Sequence, residues 1–211
     1  MKIVPGYAFA GWMLLTSFTT PTDCCRKLDF VVFKGDDQVG TLTANEKIEG
    51  KRTTYSLLSH VTIRLLFTFK IIENINNVFE NGHLKSSVHT RHINGSLKTE
   101  NRIQRIDSNA YTMTDADKTV KHINEAIHNT ILELYFKEPI ETQRRYSENF
   151  QQLLLVKKTD AHVYTVELPN GNVTTYHYNQ GVLALAETKA SWGVLKFINK
   201  TNLAGLKKAK K

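Results

Sequence analysis

Over residues 55–71 nearly every second position is apolar: Tyr55, Leu57, Ser59, Val61, Ile63, Leu65, Phe67, Phe69 and Ile71. The positions between them are mostly polar, among them Ser56, His60, Thr62, Arg64, Thr68 and Lys70. Successive strand side chains point to opposite faces, so this alternation predicts a strand with one apolar and one wet face. A helix would scatter the same residues around its cylinder, and the β-branched and aromatic content also favours extension. Read as one strand, these residues would span about 55 Å. The chain is therefore expected to be organised around one very long amphipathic strand in an antiparallel sheet.

The flanking pattern extends the same sheet. Residues 28–33 and 39–49 read as two earlier strands, with Gly40 at a bulge or close approach. After Ile71 the alternation breaks in 71–79, a bulge or the end of the amphipathic stretch. Asn81-Gly82 and Asn94-Gly95 are hairpin turns. Between them, residues 84–93 are polar on both faces and are expected where the sheet is least covered. Residues 97–106 follow, completing a meander.

Between 117 and 137 the period changes. Ile123, Ile127, Ile131, Leu134 and Tyr135 recur at three- and four-residue spacing, predicting a helix or two short helical turns that Pro139 ends. Five more strands follow, over 151–157, 162–168, 173–178, 182–188 and 192–198. The fold class is mainly β: a long, strongly curved antiparallel sheet or partial barrel with a short helical insertion.

Composition adds an address. The 211 residues, 41% apolar and 23% charged, suit a single domain, expected over 27–200. Lys2 followed by an uncharged run to Thr22 has the pattern of an export signal, so residues 1–25 read as an export segment and the protein as periplasmic or envelope-associated. The alternative is a buried first strand. Cys24 and Cys25 are the only cysteines and adjacent, which gives no disulfide framework; lipidation of one of them is a minority reading. The net charge is +8, but Lys207, Lys208, Lys210 and Lys211 cluster in a tail, 201–211, expected to be disordered. No basic stripe interleaved with aromatics is present, which argues against nucleic acid as a partner.

Candidate chemistry is sparse. His89 and His92 fall on opposite strand faces, and His122, Glu125 and His128 lack the four-residue spacing a helical zinc pair requires. His60 and Arg64 lie about 13 Å apart along a strand, too far for a direct acid–base pair. No nucleophile elbow, phosphate loop or dinucleotide fingerprint occurs. The chain reads as a non-enzyme with no metal and no cofactor.

Three stretches carry a resemblance: the step at 38–42 (QVGTL) with the NG hairpins after it, the LYFKEP run at 134–139, and the terminal pattern from Tyr164 through Leu168-Pro-Asn-Gly to Gly181. They resemble an uncharacterised family of exported Bacteroidota proteins known as a domain of unknown function. More distantly, the architecture is similar to that of periplasmic lipoprotein carriers such as LolA and LolB. The likeness implies a half-barrel with room for an acyl chain, and no functional residue carries over from it.

One helix is too small to cover a sheet of such strands, and an uncovered apolar groove is costly at about 25 cal/mol per Å2. The expected occupant is an apolar ligand such as a lipid, bound by a monomer. Its expected lining is Tyr55, Leu57, Val61, Ile63, Leu65, Phe67 and Phe69, extended by Ile71, with Ile123, Ile127 and Ile131 from the helical side. The plainer alternative is that this stripe forms an ordinary core. Two other function classes stand beside a ligand carrier. One is a structural or interaction protein of the envelope that docks a membrane-associated partner through a sheet edge or groove. The other is an enzyme without a recognisable motif.

Overall fold

The computed structural model describes residues 24–64, 66–190 and 193–203. The expected export segment up to residue 23, Leu65, Trp192 and the lysine tail from 204 lie outside the described residues.

Eight strands run in sequence: β1 (Cys24–Lys34), β2 (Asp37–Glu49), β3 (Arg52–Arg64), β4 (Thr68–Glu80), β5 (His83–Ile93), β6 (Ser96–Asp107), β7 (Ala110–Thr114) and β8 (Val120–Ile123). A crossing segment, 124–142, contains a single 3-10 turn at Leu132–Tyr135. Six strands then return: β9 (Gln143–Ser147), β10 (Gln152–Asp160), β11 (Val163–Glu167), β12 (Val173–Asn179), β13 (Val182–Ala190) and β14 (Gly193–Asn199). All fourteen form one antiparallel sheet in the order β8 through β1, then β14 through β9. The first and last strands pair in its middle, Phe30 opposite Asn199, and β8 and β9 are its edges. The sheet is a curved, unclosed barrel. Among the described residues no helix is long and apolar enough to cross a membrane.

The expected seventeen-residue strand is two strands. β3 and β4, thirteen residues each, fold back on one another with Arg64 opposite Thr68, Ile63 opposite Phe69 and Val61 opposite Ile71. The connection is three residues long. An odd connection preserves the inward parity, so both arms keep the same apolar register and the hairpin is invisible to a period-two test. At the tip, Leu66 is 95% and Phe67 75% exposed.

Gly40 is the close approach the sequence suggests. It sits beside a register shift in the β1–β2 pair, and a Cβ there would lie 2.1 Å from the carbonyl oxygen of His60. The Asn81-Gly82 and Asn94-Gly95 turns have positive φ at both residues, the geometry of tight hairpins.

The helical span expected over 117–137 shrinks to one 3-10 turn. Ile123 belongs to β8, and the rest of the segment is an irregular plug laid across the concave face. Ile127, Leu132, Leu134 and Phe136 on it are buried. Its backbone groups are met by the wall: Leu84 N donates to Ile127 O (2.8 Å), Ile131 N to Tyr146 O (2.8 Å) and Tyr178 Oη to Leu134 O (2.7 Å). Tyr164 Oη donates to Pro139 O. Such side-chain partners let a non-repetitive backbone lie in a core. Tyr135 packs edge-on against Phe30 (5.3 Å) and Phe136 tilts against Tyr55 (5.5 Å).

Strand ends alternate, so the turns after β1, β3, β5, β7, β9, β11 and β13 share one rim, and the plug enters and leaves from the other. The plug fills the lower half of the barrel. The open rim is the route to what remains.

A candidate binding cavity inside the half-barrel

Between the plug and the open rim the concave face keeps a cavity of about 180 Å3. Leu42, Leu57, Ile75, Leu168, Ala186 and Phe197 supply its apolar wall, and the plug adds Ile131, Leu132 and Tyr135 as its floor. Glu73, Arg91, Ser147, Glu148, Thr174, Tyr176 and Thr188 bring polar groups to it, and the turn residues Asn149 and Phe150 reach its mouth.

The charged side is built on β4 and β5. Glu73 and Asn77 stand in the inward, apolar register of β4, with Phe69, Ile71, Ile75 and Phe79. Glu73 pairs across the ladder with Arg91, and Ile75 with His89. One carboxylate oxygen, Glu73 Oε1, lies 2.8 Å from His89 Nε2 and 2.6 Å from Arg91 Nη2. Burial alone would raise the Glu73 pKa; the His89 hydrogen bond and the Arg91 charge outweigh it and bring it to about 2. At neutral pH Glu73 is therefore a fixed negative acceptor and a poor base.

Deeper, two carboxyls lie where the plug meets the wall, and Glu148 joins the two. Glu148 Oε1 accepts from Asn77 Nδ2 (2.6 Å) and from the backbone of Leu132 (3.2 Å), and burial raises its pKa. Glu133 Oε1 accepts from Thr130 N (2.9 Å); burial pushes its pKa up to about 7, against the pull of that hydrogen bond and of Arg145. Arg145, buried, donates Nη1 to Thr130 O (3.2 Å) while its Nε has no partner. Asn101 Nδ2 donates to the carbonyls of Glu148 and Asn149, which ties the rim turn to β6.

Of the lining residues expected from the sequence, Leu57 and Ile131 face the cavity. Tyr55 lies lower, buried between Phe79 and Phe136. Val61 and Ile63 are buried in the wall outside the cavity lining, Phe69 and Ile71 are half-buried on β4, and Ile123 is half-buried on β8. Ile127 is at the plug's far end, under Leu84 and Tyr111. Phe67 is exposed at the β3–β4 tip and is not among the residues that line this cavity. Leu65 lies outside the described residues.

β5 also differs from expectation. Leu84, Ser87 and His89 are buried, so its polar residues serve the interior instead of marking an uncovered strand. His122 lies on β8 while His128 sits in the plug, its ring 4.4 Å from that of His83. His60 and Arg64 face outward. The residues sequence reasoning missed are Glu73, His89, Arg91 and Glu148. Their one visible signal is the broken alternation at 71–79, where Glu73 and Asn77 occupy apolar positions.

The fold is similar to the crystal structure of a β-barrel-like protein of the domain of unknown function DUF1849 from Brucella abortus. That likeness covers 82% of this chain and 94% of the other at a TM-score of 0.51, with 6% identity, and it concerns the fold alone. No curated protein matches the sequence. The family described as domain of unknown function DUF6134 matches residues 30–199, from the middle of β1 to the last residue of β14. With the whole sheet spanned in that way, the chain belongs to the DUF6134 family.

Proposed function

We propose that this protein binds a small amphiphile in the half-barrel and holds it without transforming it. The observation carrying this reading is the Glu73–Arg91 pair set beside the apolar wall of the cavity. Both side chains keep a quarter to a third of their surface open (25% and 30%). The two charges match each other, and the surface each leaves open is where a ligand's polar end would be held. A cavity of about 180 Å3 is smaller than the roughly 300 Å3 at which small-molecule sites begin, so the ligand's inner end is enclosed and the remainder projects past the rim. The low pKa of Glu73 favours holding over catalysis. The reading fits an exported envelope protein, as the N-terminal pattern suggests, and the carrier architecture of the LolA and LolB type.

The test is native mass spectrometry of protein purified without detergent, before and after organic extraction, followed by titration with decanol, decanoate and decylamine. An adduct lost on extraction is expected, as is rebinding of at least one probe. Ala186→Leu, which narrows the cavity, abolishes both while circular dichroism shows the fold retained. Bare protein that takes up none of the three probes sinks the reading.

A further inference from the structure

We propose that the open rim docks on an anionic lipid surface through the β3–β4 hairpin tip. The proposal stands independently of the cavity. Other hairpin turns of the sheet carry glycine at positive φ, at Gly35, Gly50, Gly82 and Gly95. The β3–β4 connection has no turn-forming residue, and it puts Leu66 (95% exposed) and Phe67 (75% exposed) into solvent. Two adjacent apolar side chains held out at the end of a two-stranded arm are costly in water and favourable in an acyl boundary.

The charge beside the tip selects the surface. Arg64 and Lys70 stand on the hairpin's outward register, and Arg64 opens with Lys34 and Lys196 onto a rim recess of about 740 Å3, where Asp37 is the opposing acid. Lys196 is matched by Glu187 at 3.2 Å, whereas Lys34, Arg64 and Lys70 form no ion pair among the described residues. Cations flanking inserted apolar groups sit at headgroup level, where lipid phosphates are their counterions. The tip shares its rim with the cavity mouth, so docking there faces the mouth to the bilayer.

Co-sedimentation of the full chain with phosphatidylethanolamine–phosphatidylglycerol vesicles, against phosphatidylcholine vesicles, tests this. Binding to the anionic vesicles is expected, weakening as salt rises from about 50 to about 500 mM. Leu66→Ser with Phe67→Ser should weaken it about ten-fold or more with circular dichroism and melting temperature unchanged, the lysine tail being present in both proteins. Arg64→Glu should weaken binding to anionic vesicles only. Equal binding by wild type and the double variant overturns the proposal. So does concentration-dependent self-association that the double variant loses, which would assign the tip to a second copy of the chain.

Discussion

His89 Nε2 lies 2.8 Å from Glu73 Oε1, diagonally across the β4–β5 ladder, with the imidazole fully buried and the carboxylate one quarter exposed. Arg91 shares the same oxygen at 2.6 Å. Three ionisable groups on two strands are thus locked into one orientation on the concave face, and the geometry fixes how Glu73 responds to pH.

Glu73 titrates at about 2 in the folded protein, below its ordinary 4.5, so the unfolded chain binds its proton first as pH falls. Its contribution is complete above about pH 5 and is lost between 4.5 and 2. Glu73→Gln should lower stability at pH 7 by on the order of 2 kcal/mol. The gap to wild type should close near pH 2. Urea unfolding at pH 7, 4 and 2.5 reads this; a gap that stays constant with pH would refute it.

Glu133 behaves in the opposite sense. Burial holds its folded pKa at about 7, above the ordinary 4.5, so its stabilising share is present below 4.5 and lost as pH rises through 7. Between pH 5 and 8 the wild type should lose on the order of 2 kcal/mol more than Glu133→Gln, whose amide oxygen still accepts from Thr130 N. Thermal melts of the two proteins across that range give the comparison, and parallel curves would contradict it.

At Gly40 the strand leaves no space. A methyl would meet the His60 carbonyl oxygen at 2.1 Å, a backbone atom that cannot swing aside, so Gly40→Ala should cost at least about 3 kcal/mol or prevent folding. Gly35, with nothing within 4 Å of an added Cβ, is the control, and Gly35→Ala should cost about 1 kcal/mol through its positive φ alone. Similar losses at both sites would show that the close packing of β2 on β3 is not what matters.

Two phenylalanines separate the plug from the rim. Phe136→Ala removes a ring wedged between Tyr55 and Arg26 and should cost about 3–5 kcal/mol. Phe67→Ser, at the exposed tip, should change stability by less than about 0.5 kcal/mol. Chemical denaturation of both variants checks the contrast, and an equal cost would place Phe67 in a core.

Much of the sheet is legible in the sequence because its signals are local. Asn81-Gly82 and Asn94-Gly95 announce hairpins by turn chemistry, and the alternation in 39–49 and 173–178 announces strands. The β3–β4 hairpin is not legible, since Leu65, Leu66 and Phe67 carry no turn signal and their odd number conserves the apolar phase. The plug misleads differently: its apolar spacing matches a helix, but those residues meet partners on many strands, and the contacts of Tyr178, Tyr164 and Arg145 with its backbone are set by the tertiary fold. The cavity is hidden for a related reason. Glu73, Asn77 and His89 look like interruptions of an amphipathic pattern until the fold brings their partners together: Glu73 then bonds His89 across the β4–β5 ladder, and Asn77 donates to Thr130 and Glu148.

The seam between β1 and β14 also governs how the molecule can assemble. Every other ladder joins strands adjacent in the chain, so β1–β8 and β9–β14 can each zip up locally as two separate wings. The Phe30–Asn199 pairing instead closes a loop of nearly the whole domain, the slowest and entropically dearest contact to form. During synthesis the first wing must wait, with β1 an open edge, until the last strand leaves the ribosome. Truncation ahead of β14 (Gly193–Asn199) would therefore leave two sticky half-sheets, and aggregation, not mild destabilisation, would be the outcome.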